Sequence, residues 1–164
     1  MAQPFAAVGT SNGDETVRIQ YRLLELGFWL GGADGLYGKT TLQAVMAFQK
    51  YAGLEATGSV DEATAAALGS ITARARGRVD AGTMIEIDKD RQLLFVVQDS
   101  KPVWVFNTST GDGEEYTEPD QNSPGTIITD VALTPNGLHR VNREREEGWW
   151  AGDLGEIYRP KYFV

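Results

Sequence analysis

Apolar residues at helical spacing mark the start of the chain. They fall four, three and four residues apart on one stripe: Val17, Tyr21, Leu24 and Phe28. This period is typical of an amphipathic helix, which Asp14 or Thr16 could cap and which Gly27 ends. We therefore expect residues 1–13 to be a flexible lead and the first helix to open a folded domain.

Two more helices follow at short intervals. One is predicted over 39–51, where Gly53 stops it, and the other opens at Ser59 or Asp61 and runs through Leu68. Each is preceded by a similar segment, 34–41 or 57–64, in which a glycine comes shortly before a threonine at the helix entry. We call these two segments the motif loops and interpret them as a repeated turn and cap. The pattern predicts a three-helix domain over 14–69.

The pattern changes after this domain. Arg74, Arg76 and Arg78 alternate with small residues, which favours a solvated linker over 70–82. From Met84 the apolar period becomes two, which is typical of strands. Three such runs separated by short turns predict an antiparallel meander: 84–88, 92–98 and 103–109.

The rest of the chain has a weaker β pattern. An acidic loop is expected over 111–123, strands over 126–133 and 138–142, and an aromatic tail over 149–164. The predicted fold class is therefore α+β, in which a small three-helix domain precedes an antiparallel β-sandwich-like domain over 83–164.

Composition narrows the chemistry that this fold could carry. Lys plus Arg is 15 and Asp plus Glu is 23, and the formal charge of -8 argues against nucleic acid as the main partner. There is no cysteine and a single histidine, His139, which excludes disulfides, thiolate metal sites and a His-rich metal site. The acidic loop lacks EF-hand spacing, and we expect neither a metal nor a cofactor. No apolar run is long enough for a transmembrane helix, and residues 1–14 lack the pattern of a signal peptide.

The helical domain resembles the peptidoglycan-binding domain of the three-helix type. The segments that carry the resemblance run in order through it: Leu26-Gly27-Phe28, Asp34-Gly35-Leu36-Tyr37-Gly38, Phe48-Gln49, Gly53-Leu54 and Gly58. The resemblance implies peptidoglycan, both glycan and stem peptide, as the partner. Because aromatic faces stack on sugar rings and peptide stems, Trp29 and Tyr37 are candidate binding residues, and Gln49 is a candidate polar anchor.

The second half resembles the L,D-transpeptidase (YkuD-type) catalytic domain. The order of these segments carries the resemblance: Met84-Ile85-Glu86-Ile87-Asp88, Ser109-Thr110-Gly111, Thr134-Pro135-Asn136-Gly137, Gly148-Trp149 and Tyr158-Arg159-Pro160-Lys161-Tyr162-Phe163. It implies acyl transfer between stem peptides through a cysteine thioester, without metal or nucleotide. Candidate substrate-facing residues in this half are Trp150, Tyr158 and Tyr162.

The catalytic motif of that family does not occur in these 164 residues. By the resemblance it consists of a His-Gly pair and a Ser-His-Gly-Cys stretch, so we name no catalytic residue, regard His139 as a structural or surface residue, and expect an inactive chain. We favour a fragment of a longer extracytoplasmic enzyme of the cell wall or periplasm, whose signal peptide is not in this chain. The alternatives are a non-catalytic cell-wall binding protein and a cytoplasmic interaction module.

Overall fold

The chain begins with helices and continues as strands. A computed structural model describes residues 3–152 and 155–163, and it divides the chain into a first unit, Met1–Ser109, and a second unit, Thr110–Val164. The strands pair antiparallel with one another, which confirms the predicted α+β class. Met1, Ala2 and Val164, at the ends of the predicted lead and tail, lie outside the described residues.

The three predicted helices are all present in the first unit. They are α1 (Asp14–Leu26), α2 (Lys39–Ala52) and α3 (Glu62–Ser70). Gly27 (φ 96°) and Gly53 (φ 71°) follow α1 and α2 in the left-handed conformation, where a residue with a Cβ is strained. The two glycines therefore end their helices, as the sequence predicts.

The helix starts agree less well with the sequence. Asp61 caps α3, because its side chain accepts a hydrogen bond from Thr64 N–H at 2.8 Å. Gly13 stands at the start of α1 without a side-chain cap, so neither Asp14 nor Thr16 caps this helix. The Thr16 hydroxyl instead donates to a loop carbonyl outside the helix.

The predicted meander follows the helices in the same unit. Its strands are β1 (Met84–Asp88), β2 (Leu93–Gln98) and β3 (Lys101–Asn107), in the order β1-β2-β3. A bridge joins β3 to the end of α1: Val105 N–H donates to Gly27 O at 2.8 Å, and Trp29 N–H donates to Val105 O at 3.1 Å. Lys50 of α2 reaches the carbonyl oxygens of Gln92 and Thr108.

Helices and meander share one apolar core. Its largest fully buried apolar side chains come from both: Ile19, Leu23, Leu26, Phe28, Phe48, Leu68, Leu93 and Phe95. Burial of each such side chain contributes about 1.5–3 kcal/mol. Because one core spans both parts, the first unit extends well past the helical domain that the sequence predicts.

The predicted flexible lead is attached to the helices within its described part. Gly9 and Val60 exchange two backbone hydrogen bonds of 2.9 Å. Arg18 of α1 donates to the carbonyl oxygens of Gln3 and Pro4. The described part of the lead is therefore hydrogen-bonded to distant segments, through the backbone of Val60 and the side chain of Arg18, which its local composition does not indicate.

The predicted linker is also part of the folded unit. Arg74 donates to the carbonyl oxygens of Leu24 (3.4 Å) and Glu25 (3.1 Å) in the last turn of α1, a turn that has no basic residue of its own. Ala75 is buried, and its N–H donates to Leu26 O at 2.8 Å. The arginine satisfies helix-end carbonyls and supplies the positive charge that a helix C-terminus favours. A linker prediction based on local composition misses this role.

Arg78, from the same segment, belongs to an ion-pair cluster around Asp88. The Asp88 side chain is 1% exposed, and its Oδ2 lies 3.0 Å from Arg78 Nε and 2.8 Å from Arg91 Nε. Burial alone would raise the pKa of Asp88, but hydrogen bonds from Arg91 and the charges of Arg91 and Arg78 outweigh it and hold this pKa below its ordinary value. The cluster ties the 70–82 segment to the end of β1.

The second unit consists of short antiparallel pairs in its described part. The pairs are β4 (Asp112–Pro119) with β5 (Ile127–Leu133), β6 (Arg143–Glu144) with β9 (Lys161–Tyr162), and β7 (Trp149–Gly152) with β8 (Gly155–Tyr158). Two predictions are wrong here. The acidic segment is mostly strand β4, where the hydroxyls of Thr117 and Thr129 meet across the pair at 3.3 Å, and 138–142 is not a strand.

Large apolar side chains of the second unit are exposed. They are Ile127, Val131, Leu133, Leu138, Val141, Trp149, Trp150, Ile157 and Tyr158. Apart from Pro160, the buried apolar side chains in the described ranges belong to the first unit. No helix of the described residues has the length and apolar character that a membrane crossing requires.

Candidate functional site

Trp29 lies directly after α1, on the surface of the first unit. Its indole stacks on Phe106 of β3, with ring centroids 5.5 Å apart and an interplanar angle of 30°. The residue is 39% exposed, while its backbone is held by Val105. Ring and backbone are thus fixed before any ligand arrives, which lowers the ordering cost of binding.

A groove of about 220 Å³ opens beside Trp29. Six residues line this Trp29 groove: Trp29, Lys39, Thr40, Gln43, Phe106 and Asn107. Lys39 is exposed and forms no salt bridge with the part of the chain that the structure describes. Aromatic surface with a few polar groups at its edge is the usual lining of a small-ligand site.

Asn107 has a polar atom without a partner. Its Nδ2 donates to Gln43 Oε1 at 2.7 Å. Its Oδ1 is buried and accepts no hydrogen bond from residues 3–152 or 155–163. Buried polar atoms are nearly always hydrogen-bonded in folded proteins. This oxygen is therefore available to accept a hydrogen bond from a ligand in the groove.

Tyr37 is half-buried and links the two motif loops. Its hydroxyl donates to Gly58 O at 2.6 Å, and burial raises its pKa to about 12. Its N–H donates to Asn12 Oδ1 at 2.6 Å. The hydroxyl is therefore used inside the fold, and a binding role for the Tyr37 ring stays a prediction.

Gln49 lies inside the helical domain, where it is 1% exposed. Its Nε2 donates to Ser59 O at 2.9 Å and to Thr64 Oγ1 at 3.0 Å, and its Oε1 accepts from Gly58 N–H at 2.9 Å. All of these partners belong to the second motif loop. The geometry gives Gln49 a structural role in place of the predicted polar anchor on the surface.

Gln20 holds the first motif loop in the same way. Its Nε2 donates to Leu36 O at 3.1 Å and to Thr41 Oγ1 at 2.9 Å, and its Oε1 accepts from Gly35 N–H at 2.8 Å. Sequence reasoning missed this residue, although each motif loop follows a helix that carries a glutamine on its buried face. We call each buried glutamine whose amide hydrogen-bonds to a motif loop a glutamine brace. The repeat in the sequence therefore reflects two such braces, Gln20 and Gln49.

Both backbone conformation and packing favour glycine at two positions of the motif loops. Gly35 (φ 78°) and Gly58 (φ 71°) both adopt the left-handed conformation. A Cβ at Gly35 would lie 3.0 Å from Val17 Cγ2, and a Cβ at Gly58 would lie 3.0 Å from Leu42 Cγ. At both positions a residue with a Cβ would be strained by the backbone conformation and crowded by the neighbouring side chain, which favours glycine.

The predicted residues of the second unit do not share one face. Trp149 pairs with Tyr158 across β7 and β8, with ring centroids 5.4 Å apart, whereas Trp150 pairs with Ile157. Because neighbouring residues of a strand point to opposite faces, Trp150 and Tyr158 lie on opposite sides of this pair. Trp149 is therefore the aromatic partner of Tyr158 that the sequence analysis did not choose.

Arginine side chains cover two of these rings. Arg145 lies 4.5 Å from the ring centroid of Trp150, and Arg143 lies 4.0 Å from that of Tyr162. Such cation–π contacts stabilise exposed aromatic residues by about 0.5–1 kcal/mol. A substrate-facing role for Trp150, Tyr158 and Tyr162 stays a prediction.

His139, in the second unit, is exposed. One ring nitrogen lies 3.2 Å from Asn136 O, and the ring meets Phe163 at 5.6 Å between centroids. Across the described ranges, no three acidic, histidine or cysteine side chains come together in a way that could hold a metal ion.

Two family models match the chain in succession. The model described as "Putative peptidoglycan binding domain" matches residues 12–68. The model of the L,D-transpeptidase catalytic domain matches residues 82–164, which is half of the chain. The Trp29 groove draws residues from both matched ranges.

Individual proteins agree with these matches. A "Probable N-acetylmuramoyl-L-alanine amidase" of Bacillus licheniformis is 39% identical over 75 residues, and the amidase CwlM of Mycobacterium tuberculosis is 37% identical over 65 residues. These matches cover 44% and 40% of this chain but only 21% and 16% of the amidases. The crystal structure of the L,D-transpeptidase (residues 123–326) from Xylanimonas cellulosilytica is 40% identical, covers 99% of this chain and 76% of that one, and has a TM-score of 0.80. The chain therefore belongs to the L,D-transpeptidase family and carries a peptidoglycan-binding domain ahead of the transpeptidase segment.

Proposed function

We propose that the chain binds peptidoglycan through its first unit and thereby holds the transpeptidase segment at the cell wall. The observation that carries this proposal is the family match over 12–68. The amidases support it, because their name specifies the N-acetylmuramoyl-L-alanine linkage. Trp29 supports it as well, since an exposed ring fixed in place is suited to stack on a sugar.

We propose that the 164 residues of this chain bind peptidoglycan and do not themselves carry out acyl transfer. In the family, by resemblance, the acyl group passes through a cysteine thioester, and the 164 residues contain no cysteine. We propose glycan contacts for Trp29 and stem-peptide contacts for Trp150, Tyr158 and Tyr162. The cell-wall-acting domains point to an extracytoplasmic site of action, either the wall or the periplasm.

Sedimentation with purified sacculi tests the binding proposal. The full chain is mixed with insoluble sacculi or with an equal mass of cellulose, and both are spun down. We expect most of the protein in the sacculus pellet and most of it in the supernatant of the cellulose control, because cellulose lacks both the acetamido groups and the peptides. Equal distribution in the two samples would show that the proposed function is wrong.

A further inference from the structure

We propose that the Trp29 groove is a saccharide site built jointly by the two family-matched segments, and that it takes an N-acetylated amino-sugar ring of the glycan with a neighbouring carboxylate on Lys39. This inference rests on the proposed function and names the ligand group and the residues that bind it.

The aromatic platform of the groove needs both segments. Trp29 belongs to the range 12–68, and Phe106, which backs its ring at 5.5 Å, belongs to the range 82–164. The bridge between Phe28 and Val105 fixes the two rings relative to each other. A pyranose ring has one face of C–H groups, and a fixed, partly exposed indole offers this face an apolar surface.

The polar residues of the groove match the substituents of such a ring. Asn107 Oδ1 is a buried acceptor without a donor in the described ranges, and an acetamido N–H or a ring hydroxyl would supply one. Thr40 and Gln43, in the first turns of α2, also line the groove. The groove thus combines an apolar platform with hydrogen-bonding groups, as a sugar requires.

Lys39 gives the groove a charge preference. It is an exposed cation without a salt bridge in the described part of a chain whose formal charge is -8. A negatively charged ligand is repelled by the chain as a whole, so a local unpaired cation marks where a carboxylate is favoured. Stem peptides carry carboxylates beside the glycan, whereas a chitin oligomer is neutral.

Calorimetric titration of the full chain with two soluble probes tests this inference. The probes are a neutral tetramer of N-acetylglucosamine and an anionic disaccharide tetrapeptide. We expect Trp29→Ala to weaken both affinities about tenfold, equivalent to about 1.4 kcal/mol. We expect Lys39→Gln to lower the affinity for the disaccharide tetrapeptide by about threefold or more. The affinity for the neutral tetramer should stay within about twofold of the wild-type value, because only the tetrapeptide probe carries charge.

Two further variants separate binding from folding. Asn107→Leu should weaken the binding of both probes and change the midpoint of thermal unfolding little, because loss of the Nδ2 hydrogen bond to the exposed Gln43 is offset by removal of a buried acceptor without a partner. Tyr21→Ala removes an exposed aromatic residue of α1 outside the groove and should bind as the wild type does. Wild-type affinities in folded Trp29→Ala and Asn107→Leu would overturn the groove as the site. An equal loss for both probes in Lys39→Gln would overturn the carboxylate contact.

The sacculus experiment separates this inference from the function on which it rests. If the wild type sediments with sacculi and the groove variants still bind both probes normally, the groove assignment is wrong and the proposed function stands. If the wild type does not sediment with sacculi, both are wrong.

Discussion

Replacing Gln49 with alanine is expected to lower the free energy of unfolding by roughly 3 kcal/mol. The side chain is buried, and its amide meets Gly58 N–H, Ser59 O and Thr64 Oγ1. Alanine leaves the buried Gly58 N–H without an acceptor and opens a cavity beside the second motif loop. Urea unfolding followed by circular dichroism at 222 nm reports the change on the helices.

Gln43 provides a matched control on the same helix. It is exposed, and its side chain accepts a hydrogen bond from Asn107 Nδ2, so Gln43→Ala should cost less than about 1 kcal/mol. Gln20→Ala should resemble Gln49→Ala, because Gln20 holds the first motif loop through Gly35 and Thr41. Equal stabilities of Gln49→Ala and Gln43→Ala would contradict the brace.

Asp88→Asn is expected to cost roughly 2 kcal/mol at pH 7, because it removes the charge between Arg78 and Arg91 while keeping the side-chain shape. The pKa of Asp88 in the folded chain lies below its ordinary value of 3.8. The stabilisation is therefore complete above that ordinary value and is lost as the pH falls through the lower, folded-state value. The stability gap between wild type and variant should be widest at neutral pH and should close in acid.

Asp90→Asn is the control for this prediction. Asp90 pairs with the same Arg78 at 2.8 Å, but its side chain is 78% exposed. An exposed pair contributes little, so this variant should cost less than about 0.5 kcal/mol. Urea unfolding of both variants at pH 7 and pH 3 makes the comparison. A gap for Asp88→Asn that is as wide at pH 3 as at pH 7 would contradict the role given to its charge.

Local signals in the sequence predict the helices and the meander well. Gly27 and Gly53 end α1 and α2 because left-handed backbone is a property of the residue itself. The apolar run of β2 predicts a strand, and burial alternates along it because one side of the meander packs on the helices. In such places the residue and its neighbours in the chain carry enough information.

Long-range partners explain the predictions that differ. Arg74 resembles part of a solvated strip until the end of α1 is placed beside it, and β4 looks like an acidic loop until β5 pairs with it. Gln49 is a candidate polar anchor in the sequence, but its burial and its partners Gly58 and Thr64 depend on where the second motif loop packs. The Trp29 groove requires β3 to meet the end of α1, and nothing local to Trp29 signals Phe106.

The most direct test of ligand binding by the first unit is a titration of the ¹⁵N-labelled full chain with the disaccharide tetrapeptide, followed by nuclear magnetic resonance. The chain has 4 tryptophans, so its spectrum contains few indole N–H signals. We expect progressive shifts of the Trp29 indole and of the Asn107 side-chain amide signals, while the indole signal of Trp104, which Arg74 covers on β3, stays in place. An unchanged Trp29 indole signal at saturating ligand would contradict this expectation.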